Sequence, residues 1–99
     1  MTEVPALKRL IGAYVNEDWP DFYTDVWAAV DDFIAGAPTV SQQLPAEIER
    51  VLQEQRSEEA LELFLDSLGL GYQPLPGEHR FSGFLTEVAR RASAQAQTT

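Results

Sequence analysis

Ser57-Glu58-Glu59-Ala60-Leu61-Glu62-Leu63-Phe64-Leu65-Asp66-Ser67-Leu68-Gly69 decides the fold class. Leu61, Phe64, Leu65 and Leu68 recur at the spacing that lines one side of a helix of about 3.6 residues per turn. Ser57 suits the N-cap, where a short side-chain oxygen accepts an orphan backbone N–H. Glu58 and Glu59 suit the first turn, where the helix dipole presents partial positive charge. Gly69 marks the end, because the residue after a helix often takes a left-handed backbone that glycine tolerates.

The same pattern extends in both directions. Pro5 fits a first helical turn, and Leu7, Leu10, Ile11 and Tyr14 follow at helical spacing. Asn16 to Trp19 reads as a connector. Asp18 is placed to cap a second helix that tolerates Pro20, carries an apolar face of Tyr23, Val26, Val30, Phe33 and Ile34, and stops at Gly36. Ala37 to Ser41 is a turn around Pro38, and Val40 to Leu44 reads as a short helical segment ahead of Pro45. From Pro45 to Gln55, Ile48, Val51 and Leu52 share a face, and Glu47 and Glu54 flank Arg50 as helical charge partners. Gly69 to Gly77 holds three Gly and two Pro and is a structured loop, with Tyr72 and Leu75 positioned to pin it to the core. Ser82 is a cap candidate for a last helix whose Phe84, Leu85, Val88 and Ala89 face inward, and from Ser93 the tail is small and polar. No segment alternates with the two-residue period of a strand. The expectation is an all-α, single-domain bundle of about five helices, with its core over residues 5–92 and a frayed tail at 93–99.

Composition narrows the function. At 44% apolar and 23% charged residues the chain reads as an ordinary soluble globule. Its net charge of −9 and pI of about 4.3 make nucleic acid and anionic membrane poor partners and basic proteins good ones. Without cysteine there is no disulfide framework and no thiolate metal site. Neither a secretory signal nor a membrane-spanning run is visible, so a cytoplasmic location is expected. The lone histidine, His79, lies in a Pro/Gly-bounded loop between Glu78 and Arg80 and reads as an exposed loop residue. No phosphate-binding glycine loop, nucleophile elbow or zinc-helix motif occurs. Asp31 and Asp32, as helix neighbours, point about 100° apart and do not converge as an acid/base pair. No enzymatic activity, cofactor or metal is expected.

The charge is unevenly spread. Between Arg9 and Arg50 there is no Lys or Arg, while Glu17, Asp18, Asp21, Asp25, Asp31 and Asp32 all fall there. On one continuous helix Asp21, Asp25 and Asp32 lie within about 40° of one another, with Asp21 and Asp25 roughly 6 Å apart and Asp25 and Asp32 roughly 10 Å apart. Ala28 and Ala29 leave that face uncluttered. Such a stripe repels itself, and Asp31 and Asp32 also oppose the dipole at a helix C-terminus. These six residues are the first candidates for contact with a basic partner. Glu62 and Asp66 form a second candidate face, and Trp19, Tyr23 and Trp27 are aromatic residues among the acids, the latter two better placed for the core.

With these motifs on the page, the chain resembles immunity proteins of bacterial contact-dependent growth inhibition systems. The likeness rests on an L-x-x-L-x-G-A-Y pattern at Leu7, Leu10 and Gly12-Ala13-Tyr14, followed closely by Asp18-Trp19. It continues through Ser57 and Leu61, then Leu68-Gly69, Tyr72 and Pro74, and then Gly77 and Phe84-Leu85. It spans roughly residues 7–90. Val15-Asn16-Glu17 stands where the family often has an aromatic, a histidine and a glutamine, and Phe84 where tryptophan is more usual. The resemblance implies a cytoplasmic antidote that binds the C-terminal domain of a cognate toxin, many such toxins being nucleases with basic clefts. Residues shared with the family then read as scaffold, and acids outside the motifs as contact candidates. An alternative from another class is an acidic chaperone for a basic secreted client, which would expose an additional apolar face.

Overall fold

The described residues contain seven helical segments and no strand: α1 (Pro5–Ala13), α2 (Trp19–Phe22), α3 (Val26–Gly36), α4 (Pro38–Ser41), α5 (Leu44–Glu54), α6 (Glu58–Ser67) and α7 (Arg80–Gln97). The computed structural model describes residues 3–74 and 80–97, the side chains of 95–97 excepted. The readings made at Leu75, Gly77 and His79 lie outside the described residues. Five of the helices have nine or more residues, so the all-α expectation holds. α7 packs against α5, α3 and α6, while α1 lies on α5. Their apolar stripes close one core: Leu7, Leu10 and Ile11 from α1, Val30 and Phe33 from α3, Ile48 and Val51 from α5, Leu61 and Leu65 from α6, and Phe81, Leu85 and Val88 from α7. Each such side chain contributes about 1.5–3 kcal/mol on burial, which outweighs the few tenths that separate helix propensities.

Several boundaries differ from the sequence reading, each for a local reason. The second helix is broken. Tyr23 and Asp25 take extended backbone, and Asp25 Oδ1 accepts the Ala28 N–H at 2.8 Å, so Asp25 caps α3 instead of lying within it. A carboxylate that can reach a backbone N–H competes with helix continuation. The common face of Asp21, Asp25 and Asp32 therefore does not exist. Asp18 stands at the N-cap position of α2 but its side chain makes no capping bond; its own N–H instead donates to Asn16 Oδ1 at 2.9 Å. Gly36 is the last residue of α3, not a left-handed residue beyond it. The helix stops there because Pro38 disfavours helical backbone at Ala37, whose φ of −137° and ψ of 63° are non-helical, and α4 starts at the proline itself. Gly69 does have the expected positive φ, 95°, and Ser57 does cap α6, accepting from Ala60 N–H at 3.0 Å. α7 runs on past Ser93 to Gln97.

Two helix starts are held by carboxylates from elsewhere in the chain. Glu47 is 5% exposed and accepts the N–H groups of Ala6 (3.1 Å) and Leu7 (2.9 Å), at the start of α1. It is not the partner of Arg50, whose guanidinium donates to the Glu3 carbonyl at 3.3 Å. Likewise the start of α7 is served not by Ser82 but by Glu58, whose Oε1 accepts the N–H groups of Phe81 (2.6 Å) and Ser82 (3.2 Å). In both places a carboxylate meets the positive end of a helix dipole, which favours its negative charge.

Candidate functional site

The connector between α1 and α2 is fixed from both sides. Asn16 donates to the Gly12 carbonyl at 3.0 Å and accepts from Asp18 N–H, which closes a side-chain turn around Glu17. Gly71, in the segment after α6, donates its N–H to the Val15 carbonyl at 2.9 Å and accepts the Trp19 indole N–H at 3.1 Å. A Cβ at position 71 would stand 2.4 Å from the backbone of Asn16 and Glu17, so only glycine permits this approach. The indole of Trp19 meets Tyr72 edge-on at 6.0 Å; Tyr72 packs on Phe84 at 5.2 Å, and Phe84 on Trp27 at 5.5 Å. The motif aromatics Trp19, Tyr72 and Phe84 thus form one row that packs within the fold, whereas the motif acid Asp18 stays exposed.

This frame sorts the six acids of the first candidate set. Asp25 is the α3 cap. Asp31 pairs with Arg91 of α7 at 2.6 Å, a counter-ion sixty residues away that charge counting along the chain does not reveal. Arg91 also donates to Glu87 at 2.7 Å and lies 4.8 Å over the Trp27 ring. Asp32 accepts the Tyr23 hydroxyl at 2.6 Å, and this bond to a carboxylate, with some desolvation, pushes the Tyr23 pKa up to about 12. Glu87, bonded to Arg90 and then Arg91, is held down at about 2; Arg90 is shifted upward by Glu87, and Arg91 upward by Asp31 first and Glu87 second. Glu17, Asp18 and Asp21 remain. All three are exposed, and among the described residues their side chains form no hydrogen bond or ion pair.

Beside these three acids is a feature the sequence reading missed. Phe22, at the end of α2, is 77% exposed. It forms one wall of a surface cleft of about 280 Å³ that Tyr14, Asp18, Trp19 and Tyr23 also line. One signal was available: Phe22 falls outside the stripe of Tyr23, Val26, Val30, Phe33 and Ile34. The second candidate face is less open. Glu62 is half-buried, Asp66 is exposed, and Leu63 between them is 67% exposed. Among the described residues no three histidine or carboxylate side chains are grouped to hold a metal ion, and no helix is long and apolar enough to cross a membrane.

No curated protein and no solved structure matches the chain. Residues 3–92, which include α1 to α6 and most of α7, match the CdiI immunity protein family, and the chain belongs to that family.

Proposed function

We propose that this protein is the cytoplasmic antidote to a contact-dependent growth inhibition toxin, and that it neutralises the toxin domain by covering a basic, nuclease-type active-site cleft. Family membership implies a cognate toxin. The observation that favours a basic partner is the trio Glu17, Asp18 and Asp21, exposed and without internal counter-ions among the described residues, on the α1–α2 connector and α2, which Gly71 and Trp19 fix in place. Carboxylates held in this way raise the association rate by steering, and those desolvated against Arg or Lys slow dissociation. Protection of a cell calls for a Kd of about nanomolar or below, near −12 kcal/mol. In this assignment Asp25, Asp31 and Asp32 serve the fold first and add to the negative field second.

The test uses the cognate toxin domain, with its active site inactivated for binding and intact for inhibition. An equimolar complex and full inhibition at one equivalent are expected, with an unrelated basic nuclease unaffected. Equal inhibition of the unrelated nuclease would reduce the effect to that of any polyanion.

A further inference from the structure

Phe22 is a large apolar side chain left in water on a four-residue helix, and it lines a concavity. Isolated exposed apolar residues are common, but this one shares a cleft with three other aromatic rings and a carboxylate. Tyr14 is braced by Phe33 at 5.3 Å, Trp19 by Gly71 and Tyr72, and Tyr23 by Asp32. Three walls are therefore preorganised, and Phe22 is the wall exposed for a partner to cover. At about 280 Å³ the cleft is below the roughly 300–1,000 Å³ of small-molecule sites and suits a single inserted side chain.

The lining chemistry specifies that side chain. Aromatic faces attract a cation with an apolar stem, and Asp18 at the edge supplies a carboxylate for its head group. Glu17 and Asp21 next to the cleft strengthen the preference for positive charge. Building on the proposed toxin binding, we infer that the cleft seats one Arg or Lys side chain of the toxin domain, its stem against Phe22 and Trp19 and its charge on Asp18. Phe22 is then the principal anchor of the complex, while the remaining acids chiefly set its association rate. The corresponding choice on the α6 face is the single exposed apolar side chain of Leu63, beside Glu62 and Asp66.

Surface plasmon resonance of the inactivated cognate toxin domain against five variants of the full chain decides this. Phe22→Ala is expected to raise the dissociation rate about 30-fold or more, as for a central aromatic anchor, with the association rate nearly unchanged. Phe22→Trp restores slow dissociation, and an unchanged Tm for Phe22→Ala shows that the fold is intact. Asp18→Asn weakens binding and lowers its salt dependence, and Leu63→Ala behaves as wild type. Dissociation of Phe22→Ala within twofold of wild type overturns the anchor. If Glu17→Gln/Asp18→Asn/Asp21→Asn still weakens association in that case, the acidic surface stands without the cleft. If the triple variant is also silent and Leu63→Ala dissociates fast, the toxin sits on α6, and both the cleft and the assigned surface fall.

Discussion

Glu47 on α5 anchors Leu7 on α1: its Oε1 accepts the Leu7 N–H at 2.9 Å across 40 residues of sequence, with Oε2 on the neighbouring Ala6 N–H. The pair joins two helices end to side, and the carboxylate is almost entirely removed from solvent. Hydrogen bonds to a charged group are worth about 1.5–3 kcal/mol, and losing this one leaves two buried donors unmet. Glu47→Ala is therefore expected to destabilise the protein by about 2–3 kcal/mol, visible as a Tm lower by about 10 °C or more. Glu54→Gln, at an exposed position of the same helix, should leave the Tm unchanged in the same calorimetric scan.

The acids separate into those that fold the chain and those available to a partner. Asp25→Ala removes the α3 cap and should lower stability by about 1 kcal/mol while toxin affinity is kept. Glu17→Gln/Asp18→Asn/Asp21→Asn should do the opposite: stability equal or slightly higher, because like-charge repulsion falls, and association slower by about tenfold at low salt. Chemical denaturation and binding kinetics at two salt concentrations read both effects. A loss of stability in the triple variant without slower binding would reverse the assignment.

Two glycines should respond in opposite directions. At Gly71 a methyl group would press on the Asn16 and Glu17 backbone, which cannot swing aside as a side chain can. Gly71→Ala is expected to cost about 1–3 kcal/mol and, by displacing the connector, to weaken toxin binding as well. Gly12 is exposed in α1, and a methyl group added there would meet nothing within 4 Å. Gly12→Ala should stabilise by about 0.5–1 kcal/mol, since it only removes backbone freedom from a helix. Urea midpoints of the two variants, moving apart from wild type, are the check.

Glu87 gives a pH dependence with a definite sign. Its carboxyl is held at about 2 in the folded protein against an ordinary 4.5, by Arg90 first and Arg91 second. A depressed acid contributes stability that is complete above the unfolded value and disappears as pH falls through the folded one. The Tm difference between wild type and Glu87→Gln should be present at pH 7 and close as pH falls from about 4.5 to about 2. A gap that persists at pH 2 would mean that Glu87 acts through packing instead of charge.

What the sequence reveals about this protein is the part governed by neighbours in the chain. Leu61 and Leu65, Leu7 and Leu10, and Ile48 and Val51 show their buried faces through spacing, and Ser57 and Gly69 show their roles through backbone chemistry. The α2–α3 break was harder to read, since Asp25 fits either an exposed helical position or a cap, and only the backbone path selects between them. The pairings of Asp31 with Arg91, Glu47 with Leu7 and Glu58 with Phe81 are set by how helices cross, and nothing in the local sequence encodes them. For the same reason the acidic surface was legible as a charge imbalance, but its division into engaged and exposed carboxylates was not.

The borrowed caps bear on how the protein is made. A nine-residue helix such as α1 is shorter than the roughly 12–15 residues that hold a helix alone in water, so it depends on its surroundings from the outset. On the ribosome the carboxylate that finishes its first turn emerges only when residue 47 does, and Glu58 in turn waits for Phe81. The starts of α1 and α7 are thus completed by the middle helices α5 and α6, respectively. Loosening α5 or α6 is therefore expected to release the start of α1 or α7 with it, even though the change lies far away in sequence.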